Sequence, residues 1–141
     1  MFDLNTWLLA LPVIGGIAAA SWLVSLAKRD VSIVDSVWSL LIWAAAGVYA
    51  WQSAAVTQRG WLVLVLVTAW AVRLSVYITA RNWGEGEDRR YQRIRANNQP
   101  HFWIKSLWIV FLLQGLLAWI ISLPLLAAFG GAGGLGWLDL A

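Results

Sequence analysis

The sequence predicts an all-α, polytopic integral membrane protein with four transmembrane helices. The chain has 141 residues, of which 61% are hydrophobic and only 12% are charged. Four separate stretches approach or exceed the ~20 apolar residues that a helix needs to cross a bilayer. Because the bilayer core offers no partners to backbone N–H and C=O groups, and no stretch is typical of barrel strands, helices are the expected spanning elements.

The predicted spans follow one another in a single membrane domain, residues 1–141. Their approximate limits are 7–27, 32–51, 61–80 and 106–129. Tryptophans at or near the span ends support these limits, because an amphipathic ring favours the membrane surface: Trp7, Trp51, Trp61 and Trp103. Residues 81–105 form a charged loop, and 130–141 a glycine-rich tail. The absence of cysteine excludes disulfides and thiolate catalysis, and no metal site is predicted.

Basic residues are concentrated in two of the three connections between the spans. Residues 28–31 contain Lys28 and Arg29, and the loop 81–105 contains five arginines and one lysine. The remaining connection contains only Arg59. Because basic loops stay in the cytoplasm, we expect loops 28–31 and 81–105 to be cytoplasmic and the N-terminus to lie outside.

The charged loop also contains acids, namely Glu85, Glu87 and Asp88. One interpretation is a solvated positive anchor with a short interfacial helix that carries Tyr91 and Ile94. Acids weaken the attraction of such an anchor to anionic lipid, so a second interpretation is the rim of a site for a charged ligand. Nucleic acid is not an expected partner, because a phosphate-binding surface seldom interleaves acids with its arginines.

Polar residues inside three spans indicate a site beneath this loop. At helical rise, Asp35, Arg73 and Gln114 lie ~5, ~10 and ~12 Å from the cytoplasmic ends of their spans. A charge at mid-bilayer costs at least ~2.5 kcal/mol, so it normally faces a partner or a cavity. The sequence therefore predicts a shared polar pocket, the alternative being that each side chain reaches the membrane surface alone. Arg73, Tyr77 and Arg81 are four residues apart and share one helix face.

Four motifs carry a resemblance to a known family: "KRDVSIVDSVW" (28–38), "RLSVYITARN" (73–82), "GEGEDRRYQ" (84–92) and "FLLQGLLAWIISLP" (111–124). Over nearly its whole length, the chain resembles a bacterial membrane family of unknown function within the steroid 5-alpha-reductase superfamily. The resemblance implies a place in the bacterial cytoplasmic membrane. It also implies reduction, with NADPH, of a carbon–carbon double bond conjugated to a carbonyl in a steroid-like or other lipid substrate.

The resemblance also implies roles for particular residues. Asp35 and Tyr77 are the candidate catalytic residues, although the motif around Asp35 differs from that of the reductases' glutamate. The candidates for binding cofactor or substrate are Arg73, Arg81, Asn82, Glu87, Asp88, Arg90, Tyr91 and Gln114. The family's C-terminal spans bring most of the cofactor site, with a signature resembling R-H-P-N-Y-F-G that is not found in residues 1–141. We therefore expect a substrate-side half that is inactive alone and is completed by a C-terminal half or a homo-oligomer.

Other functions are also consistent with the sequence, and two of its patterns are misleading. A non-catalytic membrane scaffold or truncated remnant is the main alternative, and a small transporter is weaker because no span is broken around an ion site. Gly131, Gly133 and Gly136 match the dinucleotide pattern G-x-G-x-x-G, but no strand precedes them, so they indicate a linker. His101 is the only histidine and has no second metal ligand nearby.

Overall fold

The computed structural model describes residues 3–131 and 134–139, and no strand occurs in these ranges. Five helices organise them: α1 (Leu4–Lys28), α2 (Ile33–Gln52), α3 (Gln58–Asn82), α4 (Arg89–Asn97) and α5 (Phe102–Gly130). All except α4 are long and apolar enough to cross a membrane. The predicted fold class, an all-α integral membrane protein with four spans, is confirmed. Of the glycine pattern near the C-terminus, Gly133 lies outside the described residues.

Capping side chains explain why α1 and α3 begin three residues before the predicted spans. The carboxylate of Asp3 accepts hydrogen bonds from the backbone N–H groups of Asn5 and Thr6, at 3.0 and 3.3 Å. Thr57 accepts one from the N–H of Gly60 at 3.1 Å. These side chains satisfy N–H groups that a helix start leaves without an internal partner.

The charged loop is shorter than predicted because helices take up both of its ends. Helix α3 continues to Asn82, and α5 begins at Phe102 rather than at 106. Arg81 and Asn82 thus belong to the last turn of α3, and only residues 83–101 connect the two spans. The helix α4 lies within that connection, which confirms the expected short helix carrying Tyr91 and Ile94.

Helix α5 is not uniform along its length. Its segment Leu107–Leu112 is π-helical, with more residues per turn than an α-helix. The α-helical hydrogen bonding is interrupted again at Ser122, just before Pro124, which has no N–H to donate. The π segment rotates every later side chain about the helix axis. The direction of Gln114 therefore depends on a feature that a regular helical pattern does not contain.

One core of the bundle lies at the end opposite the charged loop, where α1, α2 and α5 meet. The Tyr49 hydroxyl lies 2.6 Å from the hydroxyl of Ser122 in a buried contact. Trp7 and Trp119 stack with ring centroids 3.8 Å apart and donate indole N–H groups to each other's backbone carbonyls. Gly115 permits close approach of α1, because a Cβ there would lie 3.3 Å from Ile14 Cγ2.

Helix α3 lies at the edge of the bundle, packed on α2 and on the final part of α5. Ser39 of α2 donates a hydrogen bond of 3.0 Å to the carbonyl of Ala71. Only Gly60 and Ala71 are fully buried among the described residues of α3. Val65 and Val76, on its outer side, remain 60% and 61% exposed. In a membrane this outer side faces lipid or another polypeptide.

Candidate functional site

A second core lies beneath the charged loop and holds α4 against the spans. Its buried members are Ala18, Val31, Val34, Tyr91, Phe102, Val110 and Phe111. Tyr91 and Ile94 lie three residues apart, so they share one face of α4 and both pack there. The opposite face of α4 is polar and exposed. The apolar face of α4 therefore packs against the spans, and this packing fixes the positions of its charged residues.

Glu87 joins the first connection to the charged loop. Its carboxylate accepts the N–H of Val31 at 3.0 Å and is bound by Arg95 through Nε and Nη2, at 3.0 and 2.9 Å. Only 9% of the Glu87 side chain is exposed. Burial alone would raise the pKa of Glu87, but the bonds from Arg95 and Val31 outweigh it and hold the pKa below its ordinary value. Glu87 is thus ionised and bound at neutral pH.

Asp88 and Asp35 bind the start of α4 in a similar way. Asp88 caps the helix by accepting the N–H of Arg90 at 2.8 Å, and its carboxylate also accepts Nε of Arg90 at 3.0 Å. Arg90 Nη2 reaches Asp35 at 3.0 Å, while the Tyr91 hydroxyl donates to the other Asp35 oxygen at 2.8 Å. The hydrogen bonds from Arg90 lower the pKa of Asp88. Burial, then the bond to Asp35, raises the pKa of Tyr91.

These contacts form two neighbouring groups, which we together call the clamp: Asp35, Asp88, Arg90 and Tyr91 in one, and Glu87 and Arg95 in the other. The clamp explains why acids and arginines occur together in this part of the sequence, since each acid of the clamp is bound by an arginine of α4. Glu85 and Arg89, although four residues apart, do not pair among the described residues, where both side chains are exposed. The acids predicted to bind a ligand are therefore occupied by partners within the chain.

Arg73, Tyr77 and Arg81 have the opposite character, and we call them the donor stripe. They lie on the outer side of α3, and 60% of Tyr77 is exposed. The guanidinium carbon of Arg81 lies 6.0 Å from the centroid of the Tyr77 ring. Within the described residues, the side chain of Arg73 has no hydrogen bond or ion pair, and the hydroxyl of Tyr77 has no hydrogen-bond partner. Arg81 donates its Nε to Asn82 Oδ1 at 3.4 Å, so Arg73 and Tyr77 are the members of the donor stripe that are available to an acceptor from outside the bundle.

Among the described residues, Asp35, Arg73 and Gln114 are not brought together as the predicted shared pocket requires. Asp35 is held by α4, whereas Arg73 points away from the rest of the bundle on the exposed side of α3. Gln114 is half-buried on α5 and makes no hydrogen bond to either of them. The similar depth of these three residues stays a prediction from helical rise. Their directions differ because depth follows from the position along a helix, whereas direction depends on how the helices are rotated.

A cleft of about 210 Å³ lies between the first connection and the end of α3. Its lining includes Lys28, Asp30, Ser32, Thr79, Asn82 and Gly84. Gly84 and Gly86 have φ of 77° and 72°, a backbone conformation that favours glycine. Beside it, an open groove of about 550 Å³ runs along α3 past Ser75, Val76, Thr79, Ala80 and Trp83. Of the residues predicted to bind a ligand, Asn82 is the one that lines the cleft.

Arg95 was not among the predicted site residues, although the clamp depends on it. Its guanidinium lies 4.7 Å from the centroid of the Phe102 ring, where cation–π attraction adds to the ion pair. The sequence contained one indication of the role of Arg95. It lies four residues after Tyr91, so both side chains are on the same face of a short helix. The pairing of Arg95 with Glu87 could not be predicted in this way, because it depends on how the chain between the two residues folds.

The comparison with models of protein families matches residues 21–141 to a family described as protein of unknown function (DUF1295). No curated protein and no solved structure matches the chain. The match covers well over half of the chain, including all of the clamp and the donor stripe. The chain therefore belongs to the DUF1295 family of proteins of unknown function.

Proposed function

We propose that this protein is the substrate-side part of a membrane reductase of the steroid 5-alpha-reductase superfamily. In this proposal it acts with NADPH on a carbon–carbon double bond conjugated to a carbonyl, in a steroid-like or other lipid substrate. The resemblance of four motifs supports the proposal. The structural observation that carries it is the donor stripe, because Arg73 and Tyr77 present unpaired donors on a face that membrane-dissolved molecules can reach.

The chemistry of such a reduction requires donors of this kind. Adding hydride to the double bond builds negative charge on the carbonyl oxygen, and fixed donors lower the energy of that state. Arg73 and Tyr77 are one helical turn apart and can donate to the same oxygen. Tyr91 is less suited to this task, because its hydroxyl already donates to Asp35 at 2.8 Å. The geometry favours Tyr77 as the hydroxyl that polarises the carbonyl, and it favours Asp35 as the residue that positions α4.

The described residues fit only part of NADPH. Arg81 and Lys28 are suited to its phosphates, since arginine and lysine bind phosphate through charge-assisted hydrogen bonds. The cleft of about 210 Å³ is smaller than the ~300–1,000 Å³ that usually hold a drug-sized ligand. The groove beside it is open and is lined by α3 and Trp83 alone. These residues do not enclose a dinucleotide, so the proposal requires a second surface from a further polypeptide segment or a second copy.

A non-catalytic scaffold is the alternative function, and the clamp favours it. The carboxylates of Asp35, Glu87 and Asp88 are bound within the chain, where they hold α4 to α2 and to the connection before it. The exposed apolar side of α3 suits docking of another membrane helix. In a scaffold, Arg73 would pair with an acid of that partner rather than with a substrate carbonyl.

The reductase and the scaffold differ in the expected effect of removing the hydroxyl group of Tyr77. Membranes in which the wild-type chain is completed by a C-terminal half or a second copy are expected to oxidise NADPH when given an enone lipid, whereas the chain alone should not. Tyr77→Phe should lower kcat by about a hundredfold, the usual effect of removing one donor to a developing oxyanion. The measurement is NADPH absorbance together with loss of the enone, normalised to the amount of folded protein.

Tyr91→Phe is the matched control, since it also removes one phenolic hydroxyl. It should weaken the clamp but leave the activity per folded molecule within a few-fold of wild type. If Tyr77→Phe retains full activity, the donor stripe has no catalytic role. If membranes with and without the completed protein oxidise NADPH equally, the reductase proposal is wrong and the scaffold is favoured.

The proposal also needs an orientation, with the connections 28–31 and 83–101 in the cytoplasm, where NADPH is available. The chain has no cysteine, so single cysteines can be labelled without background. At Arg93, a cysteine should resist an impermeant thiol reagent in intact cells, whereas at Ala54 it should react. Both positions are exposed, so access to each depends on the membrane. The reverse labelling pattern would place the donor stripe nearer the outer surface.

A further inference from the structure

We infer that a separate cavity beside α4 binds the phosphate headgroup of an anionic phospholipid from the surrounding membrane. The cavity has a volume of about 380 Å³, within the ~300–1,000 Å³ that is usual for ligand pockets. It lies where the end of α1 meets the start of α5, and it shares no lining residue with the cleft that faces α3. Nothing in the proposed reductase function uses this cavity.

Arg29 supplies the charge at this cavity. It ends α1 in a left-handed conformation with φ of 54°, and its N–H donates to the carbonyl of Ser25. The side chain is exposed, lines the cavity and has no hydrogen bond or ion pair within the described residues. A guanidinium with five unused N–H donors is well matched to a phosphate group. The conformation of its backbone holds it at the point where the helix ends.

Arg95 forms the second basic wall. Glu87 binds its Nε and Nη2, so that Nη1 remains without a hydrogen bond in the described residues. Glu87 offsets the charge of Arg95, which leaves Arg29 as the net positive charge among the cavity's lining residues and this ion-pair partner. Asp30 also attracts Arg95, so Arg29 is the unpaired cation that would meet the single negative charge of a phosphodiester.

The back of the cavity is polar, and one side of it is apolar. Ser25 and Ser106 are 1% and 0% exposed, and their hydroxyls donate to the carbonyls of Trp22 and Trp103. Their oxygens retain lone pairs, so they can accept hydrogen bonds from a glycerol headgroup. Leu26 also lines the cavity.

An apolar path leads from the cavity to the membrane. Leu23 is 59% exposed and lies three residues before Leu26, on the same side of α1. Trp103 is 53% exposed at the other side of the opening. A small soluble anion would not use this apolar surface, whereas the acyl chains of a phospholipid would cover it. Basic pockets between membrane helices bind lipid headgroups for the same reason.

Native mass spectrometry of the full chain can test this inference. The protein would be released from nanodiscs of phosphatidylcholine that contain a minority of phosphatidylglycerol. We expect one phosphatidylglycerol to be retained in preference to phosphatidylcholine. Arg29→Gln should reduce the affinity at least about tenfold, the effect expected when a hydrogen bond to a charged group is lost.

Lys28→Gln is the matched control, because it removes the same charge from the neighbouring residue, which lines the other cleft. Its effect should not exceed about fivefold, which corresponds to general attraction of a basic residue to an anionic membrane. Leu26→Trp should also reduce binding, since it fills the cavity and leaves the charges unchanged. This second variant keeps the test valid if Arg29→Gln folds poorly.

Three results would overturn the inference. Equal losses in the Arg29 and Lys28 variants would indicate diffuse attraction to the membrane surface. Equal retention of phosphatidylcholine and phosphatidylglycerol would show that the charge is not recognised. Complete displacement of lipid by millimolar inorganic phosphate would assign the cavity to a free anion.

Discussion

Glu87→Gln is expected to lower the melting temperature of the protein in detergent more than any other single change of a loop acid. Glu87 is 9% exposed and holds both Arg95 and the N–H of Val31. Removing one partner of a buried ion pair leaves the other desolvated, and about 2–3 kcal/mol is a reasonable expectation for this partly open site. For a chain of this size, that loss corresponds to roughly 4–12 °C. Differential scanning fluorimetry measures it directly.

Glu85→Gln provides the control, because Glu85 is in the same loop but its side chain is exposed. It should change the melting temperature by no more than about 1–2 °C, as is usual for surface substitutions. Equal effects of the two substitutions would mean that the ion pair contributes little. The double variant Glu87→Gln/Arg95→Met should be more stable than the sum of the single changes predicts, since neither charge is left unpaired.

The ion pair of Glu87 with Arg95 should also make the stability of the protein depend on pH. The pKa of Glu87 is held below the ordinary value of 4.5, so its ionised form is favoured by folding. The stabilisation is therefore present above pH 4.5 and is lost as the pH falls through the lowered pKa of the folded protein. The difference in melting temperature between wild type and Glu87→Gln should be constant near neutrality and should shrink in acid. A difference that grows in acid would contradict the assigned ion pair.

The second large effect is expected for Asp35, whose carboxylate accepts hydrogen bonds from Tyr91 and Arg90. Asp35→Ala leaves the hydroxyl of Tyr91 without its acceptor in a side chain that is 8% exposed. An unsatisfied buried hydroxyl costs about 1–3 kcal/mol. After Tyr91→Phe that cost disappears, so a double-mutant cycle should give a coupling energy of about 1 kcal/mol or more. The measurement is again the melting temperature of the four proteins.

The cycle of Asp35→Ala with Arg73→Gln is the contrasting experiment. These residues share no contact within the described residues, so their effects should add within about 0.5 kcal/mol. A strong coupling between them would support the pocket that the sequence predicted and would contradict the arrangement of α4. Limited trypsin digestion gives a second measurement. Loss of Asp35 should expose the arginines of α4 to cleavage, whereas loss of Arg73 should not.

The sequence by itself determined the features that depend on local composition. Four apolar stretches require four membrane helices, because no other element satisfies the backbone in lipid. The spacing of Tyr91 and Ile94 predicted a short helix with one apolar face, and the spacing of Arg73, Tyr77 and Arg81 placed them on one face of α3.

Only the tertiary structure decided which of these residues meet. The rotation of α3 turns Arg73 outward, and the π-helical segment of α5 changes the direction of Gln114. Asp35 is taken by α4, because the turns at Gly84 and Gly86 bring that helix back over the spans. Partner choice depends on how helices are rotated and on where a connection folds. The sequence shows which charged groups need partners. The packing of the helices determines which of these groups come close enough to pair.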